Sequence, residues 1–125
     1  MTGGSKGIGY CIASKFAQSG HRVAATYRSG EVPSEVLGVQ CDVTDPPQVE
    51  AAFAQVESNL GNIEVVVANA GITRDTLLLR MSDEDWDQVI ATNLTGAFRV
   101  ARRAARPMIQ ARFGRIVFIS SVVGQ

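Results

Sequence analysis

The residues of this chain with the clearest chemical meaning form a glycine-rich segment at its start. This segment consists of Thr2, Gly3, Gly4, Ser5, Lys6, Gly7, Ile8 and Gly9. Glycines at a turn from a strand into a helix let the backbone approach a pyrophosphate and direct free N–H groups at it. The segment therefore predicts a phosphate-binding turn, although an ordinary glycine-rich turn has the same composition.

A second candidate anion-binding residue follows the first predicted strand, where the sequence reads Tyr27-Arg28. In dinucleotide-binding folds an acidic residue at this place binds the ribose of NAD, whereas Arg accommodates the additional phosphate of NADP. Arg28, with Lys6 as a second cation, thus favours NADP(H). The alternative is that Arg28 is a solvated loop charge balanced by Glu31.

Helices and strands alternate around these residues. Apolar residues recur at helical spacing after the glycine turn and again between Asp45 and Gly61, where Asp45, Pro46 and Gln48 predict a helix start. The predicted strands cover residues 22–27, 36–41, 63–68 and 115–120, and they are apolar with little alternation. The pattern predicts an α/β fold with an open, doubly wound parallel sheet, in one domain spanning residues 1–125.

A long helix is expected after Ser82, which can cap it ahead of Asp83, Glu84 and Asp85. Its apolar residues are expected to face inward, and they are Trp86, Val89, Ile90, Leu94 and Phe98.

Composition narrows the range of partners. Twelve basic residues balance twelve acidic ones, and 46% of the residues are hydrophobic. We therefore expect no nucleic-acid partner and no membrane association. Cys11 and Cys41 form no CxxC pair and the chain has one His, so neither a metal site nor a disulfide is expected. No apolar run approaches the roughly 20 residues of a membrane helix, and Met1 is followed by TGGSKGIG rather than by a signal segment, so the location is predicted to be cytoplasmic.

Four motifs in this order resemble those of the short-chain dehydrogenase/reductase family. They are the TGxxxGxG spacing of residues 2–9, Asn69-Ala70-Gly71 after the third strand, Asn93 within TNLTG, and Ile119-Ser120-Ser121. Asp42-Val43 matches the pair that in the family lies beside the adenine ring. The resemblance covers essentially the whole chain and implies a Rossmann-like fold that binds a nicotinamide cofactor.

The resemblance also implies catalytic roles. Ser121 would help to hold a substrate carbonyl, and Asn93 would support a water-linked proton relay. The family's Tyr and Lys would donate the proton and bind the nicotinamide ribose, but Tyr10 and Tyr27 lack the YxxxK pattern. We therefore expect a partial chain that is inactive by itself.

The resemblance also implies a strand before Thr2, where this sequence has only Met1. In the sheet order 3-2-1-4-5 that the resemblance implies, the missing strand is the central one, and its absence would divide the sheet in two.

Within the family, residues 74–104 are most similar to 3-oxoacyl-acyl-carrier-protein reductases, which implies a carrier-linked 3-oxoacyl substrate, a role in fatty acid biosynthesis and a homotetramer in the full-length protein. Two alternatives stay open: a reductase of another ketone or alcohol, and a non-catalytic NADP-binding module. Five arginines along the long helix could form a docking patch for an acidic carrier protein or an ordinary solvated or subunit-facing surface; they are Arg99, Arg102, Arg103, Arg106 and Arg112.

Overall fold

Helices and parallel strands alternate along the chain in the computed structural model, which describes residues 1–121. In chain order the elements are α1 (Gly7–Gln18), β1 (Ala24–Tyr27), β2 (Leu37–Gln40), α2 (Pro46–Leu60), β3 (Val65–Ala68), a 3₁₀ turn (Leu78–Arg80), α3 (Asp83–Val89), a π-helical segment (Ile90–Gly96), α4 (Ala97–Ala111) and β4 (Arg115–Phe118). The predicted strands are all present, each shorter than expected by one or two residues at an end.

Local sequence signals set the helix boundaries. The Asp45 side chain accepts a hydrogen bond from the Gln48 amide at 3.3 Å and caps α2, as predicted. Ser82 caps α3 by accepting from the Asp85 amide at 3.1 Å. Gly61 ends α2 with a φ of 82°, a backbone conformation that glycine adopts without strain.

The strands form two separate parallel pairs within the described part of the chain. β1 pairs with β2, placing Ala24 opposite Leu37, and β3 pairs with β4, placing Val65 opposite Arg115. The parallel α/β arrangement and the division of the sheet are both as the sequence predicted.

Met1 and Thr2 connect the two strand pairs. The Thr26 amide of β1 donates to the Met1 carbonyl at 2.9 Å, and the Thr2 amide donates to the Val67 carbonyl of β3 at 2.9 Å. On the side toward the amino ends of the strands, a largely apolar cavity of about 380 Å³ lies between the pairs, with Phe16 and Phe53 among its lining residues. In residues 1–121 the two pairs are thus joined through the backbone of Met1 and Thr2.

The main core lies between β2, β3 and the helices α2 and α4. It includes Val39, Phe53, Val66 and Val100. Cys41 is buried in the same core, and this burial raises the pKa of its thiol to about 11, so the thiol stays protonated at neutral pH.

The predicted long helix consists of α3, the π-helical segment and α4, which follow one another without a break. The residues on its inward face differ from those predicted. Trp86, Leu94 and Phe98, expected to point inward, are 57%, 64% and 56% exposed. The residues that face the protein interior are instead Thr92, Gly96, Val100, Ala104 and Met108.

Close packing explains the difference. A Cβ placed on Gly96 would lie 2.7 Å from a methyl group of Val43, so the helix approaches the core where its residues are smallest. The large side chains occupy a neighbouring stripe that is more than half exposed in the described part of the chain. Val89 and Ile90, at the border of the two stripes, are half-buried.

Candidate functional site

The center of the candidate site is a set of hydrogen bonds between Thr2 and Asn69. The Thr2 hydroxyl accepts from the amides of Asn69 and Ala70, both at 3.0 Å. The Asn69 side-chain amide donates to the carbonyls of Thr2 and Gly3, again at 3.0 Å. We call this set the Thr2–Asn69 clasp. It joins the glycine turn to the loop after β3. Thr2 and Asn69 therefore fix the shape of the site through these hydrogen bonds.

The glycine turn between Gly3 and Gly9 is shaped by contacts that only glycine permits. Gly3 has a φ of 68°, and a Cβ there would lie 2.9 Å from the Cα of Ala70. A Cβ on Gly9 would overlap the Gly3 carbonyl oxygen. The turn therefore folds back on itself and on the loop after β3.

The start of α1 has the features of an anion-binding site. Lys6 occupies the N-cap position with extended backbone and makes no side-chain cap, so no side chain satisfies the first amides of the helix. Lys6, Gly7 and Ile8 are exposed on this side. Uncapped amides at the positive end of a helix dipole, next to a lysine, fit a diphosphate.

The loop after β1 lies beside the same turn. The amides of Gly3 and Gly4 donate to the side chain and the carbonyl of Thr26, at 3.4 Å and 2.8 Å. A Cβ on Gly30 would lie 3.5 Å from the Cβ of Ser5. The loop that carries Arg28 is thereby held next to the glycine turn.

Arg28 is paired with an acidic residue, but with a different one from that considered in the sequence. Its guanidinium lies 3.8 Å from the carboxylate of Asp42, and its side chain is 60% exposed. Gln40 donates to the Arg28 carbonyl at 3.2 Å. Because β1 and β2 are parallel, residues after their carboxyl ends meet at one sheet edge, and this brings Arg28 and Asp42 together.

Asp42 is held firmly. Its carboxylate accepts hydrogen bonds from the Thr44 amide at 2.8 Å and the Thr44 hydroxyl at 2.7 Å. Partial burial by itself would raise the pKa of this carboxyl, but the Thr44 hydrogen bonds and Arg28 outweigh it and lower the pKa below its ordinary value. Asp42 is therefore ionised at neutral pH. The adjacent Val43 side chain is buried in the core, which leaves its backbone for any ligand contact.

Asn93 joins the long helix to the loop after Gly71. Its side-chain oxygen accepts from the Ile72 amide and its side-chain nitrogen donates to the Ile72 carbonyl, both at 2.9 Å. It lies in the π-helical segment Ile90–Gly96, which was not predicted from the sequence. Asn and Gly inside a helix were the available signal, since both have low helix propensity, and π segments are frequent at functional sites.

Ser121 lies just beyond the carboxyl end of β4 and is exposed. The Ile119 amide donates to the Ala68 carbonyl at 2.9 Å, which continues the parallel pairing past the strand ends. Asn69, Ala70 and Gly71 follow β3 at the same edge. The glycine turn, the loops after β1, β2 and β3, and Ser121 thus all lie at the carboxyl ends of the strands, where ligands of open α/β sheets bind.

The arginines of the long helix divide into two groups. The Arg103 guanidinium binds Glu57 through two hydrogen bonds of 3.0 and 2.8 Å and Glu50 through one of 2.8 Å, and Arg99 donates to the Thr44 carbonyl at 2.6 Å. These two stabilise the fold. Arg102 and Arg106 are exposed on the same helix.

Residues 1–121 provide no group of three or more His, Cys, Asp or Glu placed to hold a metal ion. None of their helices combines the length and the hydropathy needed to cross a membrane.

A glycine turn at the carboxyl ends of parallel strands is the arrangement of a dinucleotide-binding α/β domain. The chain also matches the family model described as short chain dehydrogenase over residues 1–125. It therefore belongs to the short-chain dehydrogenase family of oxidoreductases, as its motifs implied.

Individual relatives are also similar. The chain is 52% identical over 124 residues to the 3-oxoacyl-[acyl-carrier-protein] reductase MabA of Mycobacterium avium, covering 99% of this chain and 49% of that protein. It is 41% identical over 132 aligned residues to the 3-oxoacyl-[acyl-carrier-protein] reductase FabG of Escherichia coli, covering 99% of this chain and 54% of that one. The chain thus spans about half the length of these curated relatives.

A solved structure confirms the fold. The crystal structure of serine dehydrogenase from Escherichia coli superposes with a TM-score of 0.90 at 31% identity, covering 99% of this chain and 61% of that one.

Proposed function

We propose that this chain is the cofactor-binding part of an NADPH-dependent reductase that converts 3-oxoacyl-[acyl-carrier-protein] to the 3-hydroxyacyl form in fatty acid biosynthesis. The observation that carries the cofactor assignment is Arg28, held beside the glycine turn with its side chain 60% exposed. Identity of 52% to a relative named as such a reductase supports the substrate.

The geometry of the site supports a role in cofactor binding for each of several residues. The uncapped start of α1 and the amides of residues 3–9 would bind the diphosphate, with Lys6 beside it. Arg28 would bind the phosphate on the adenosine ribose, and Asp42 and the Val43 backbone would lie beside the adenine. Asn69, Ala70 and Gly71 would line the path toward the nicotinamide. The bound cofactor would supply a hydride to the substrate carbonyl carbon.

The remaining residues would act on the substrate oxygen. Negative charge develops on that oxygen during reduction, so a hydrogen-bond donor there lowers the barrier. The Ser121 hydroxyl, just beyond the carboxyl end of β4, would be such a donor. Asn93, whose side chain binds Ile72 through one donor and one acceptor, would help the main chain of the π-helical segment to position water for proton transfer.

A second candidate reaction has support from the fold comparison. The likeness to a serine dehydrogenase favours a reductase or dehydrogenase acting on another ketone or alcohol. Acetoacetyl substrates and serine, offered to the protein from its complete reading frame with NADPH or NADP⁺, would separate the two. Turnover of serine without turnover of the acetoacetyl substrate would reject the proposed substrate.

Assembly and location are part of the same proposal. The stripe of Trp86, Leu94 and Phe98 is the surface on which we expect the complete protein to form a homotetramer. Cys11 and Cys41 are both free thiols, which fits the reducing cytoplasm.

The substitution Arg28→Glu tests the cofactor assignment. Loss of a charge-assisted bond to a phosphate should weaken NADPH binding by about tenfold to a hundredfold, while NADH binding changes little. Arg22→Glu, an exposed change of the same charge before the amino end of β1, serves as the control. Equal weakening of NADPH and NADH by Arg28→Glu, in a fluorescence titration, would reject Arg28 as the phosphate-binding residue.

A further inference from the structure

An acidic side chain, that of Asp42, lies next to the candidate phosphate-binding residue Arg28. The two parallel strands β1 and β2 end side by side, and the Asp42 carboxylate is 3.8 Å from the Arg28 guanidinium. The two side chains differ in how they are held. The Thr44 amide and hydroxyl fix Asp42 at 2.8 and 2.7 Å, whereas Arg28 is 60% exposed.

We propose that Asp42 is a specificity-determining residue that weakens the preference of Arg28 for a phosphorylated ribose and so keeps NADPH selectivity moderate. This inference rests on the proposed function, because it takes Arg28 as the group that binds the adenosine-ribose phosphate. It gives Asp42 a role that differs from simple contact with the adenine.

The geometry limits how far the phosphate can lie from Asp42. A phosphate oxygen hydrogen-bonded to a guanidinium is about 3 Å from one of its nitrogens. Since the carboxylate is 3.8 Å from the same group, the two anions lie within roughly 9 Å of each other. That separation is below the Debye length of about 10 Å at 0.1 M salt, so the anions repel.

Asp42 also has an opposite effect, because it orients Arg28 before the ligand arrives. This effect is small. At 3.8 Å the contact is a loose ion pair, longer than a hydrogen bond, and one partner is largely exposed. Repulsion of a phosphate that carries nearly two negative charges is the larger effect.

The test is the substitution Asp42→Asn, which keeps an oxygen for the Thr44 hydrogen bonds and removes the charge. In the protein expressed from its complete reading frame, we expect the dissociation constant for NADPH, relative to that for NADH, to fall about threefold at low salt. The gain should disappear near 1 M salt. Asp87→Asn, an exposed change of the same charge on α3, is the control and should leave both constants unchanged.

Three results would overturn the inference: equal weakening of NADPH and NADH, which indicates a contact with the adenosine common to both; a selectivity ratio that does not change; and a gain that persists at high salt. A wild-type protein that binds neither cofactor would instead reject the proposed function itself. The two failures are therefore distinguishable.

Discussion

The glycines of the turn differ in what surrounds them. Gly9 is buried, and a Cβ there would overlap the Gly3 carbonyl and lie 2.5 Å from the Asn69 side-chain nitrogen. Gly7 has a φ of 54°, but a Cβ there would meet nothing within 4 Å. Alanine at Gly9 therefore collides with backbone, whereas alanine at Gly7 only adopts an unfavourable φ.

We predict that Gly9→Ala lowers the free energy of unfolding by about 2 to 4 kcal/mol, because the turn must move and the Thr2–Asn69 clasp moves with it. Gly7→Ala should cost about 1 to 2 kcal/mol. Urea unfolding of both variants is the measurement. A larger loss for Gly7→Ala than for Gly9→Ala would show that the described packing is wrong.

At the residue scale, the sequence could predict the glycine turn and the identity of the charged groups, because their spacing along the chain is local. It could not predict their partners. Arg28 pairs with Asp42 rather than Glu31, and Asn93 binds Ile72, because both contacts depend on how separate loops meet at the sheet edge.

At the scale of elements, Arg103 connects α4 to α2. It binds Glu57 and Glu50, its guanidinium lies 4.9 Å from the centre of the Phe53 ring, and its side chain is 21% exposed. Hydrogen bonding to Glu57 raises the pKa of the guanidinium further above its ordinary value, despite partial burial. Arg103 thus contributes packing as well as charge.

Replacement of Arg103 by alanine should lower the free energy of unfolding by about 1 to 2 kcal/mol, since it leaves Glu57 without its partner and uncovers Phe53. Arg102→Ala, at the next position but exposed, should cost less than about 0.5 kcal/mol. Thermal unfolding of the two variants would compare them. Equal losses of unfolding free energy in the two variants would mean that the contacts of Arg103 with α2 do not stabilise the fold.

The elements themselves were predictable, because apolar spacing and capping residues distinguish these helices from these strands. The π-helical segment was not. It arises where the helix must present Asn93 to Ile72 while Gly96 packs against Val43, and both requirements come from tertiary contacts. The register of the inward stripe was wrong for the same reason.

At the scale of the whole molecule, the exposed stripe of the long helix is an apolar surface that the described residues leave open to solvent. Trp86, Leu94 and Phe98 are spaced so that they follow one side of the helix, and each is more than half exposed. A subunit contact through this stripe would bury them.

Phe98→Asp should therefore dissociate the proposed tetramer into smaller species, because the contact would lose an apolar ring and would have to bury a carboxylate. Gln110→Asp adds the same charge at an exposed position on another side of α4 and should leave assembly unchanged. Analytical ultracentrifugation of the protein from its complete reading frame gives the outcome directly. A wild-type protein that is monomeric at micromolar concentration would contradict the assembly proposal.

The parallel, doubly wound architecture was evident from strands that alternate with helices, and the divided sheet followed from the expected strand order. The sequence could not show what covers the apolar stripe of the long helix. An apolar stripe has the same periodicity whether it packs on its own chain or on another one.

The Thr2–Asn69 clasp has a thermodynamic consequence for the complete site. The two strand pairs share backbone hydrogen bonds chiefly through Met1 and Thr2, so an occupant of the glycine turn contacts the point that holds both pairs together. A ligand that binds the glycine turn only while the two strand pairs are joined therefore stabilises their association by mass action. Each tenfold increase in ligand above its dissociation constant adds about 1.4 kcal/mol to the cost of separating the halves.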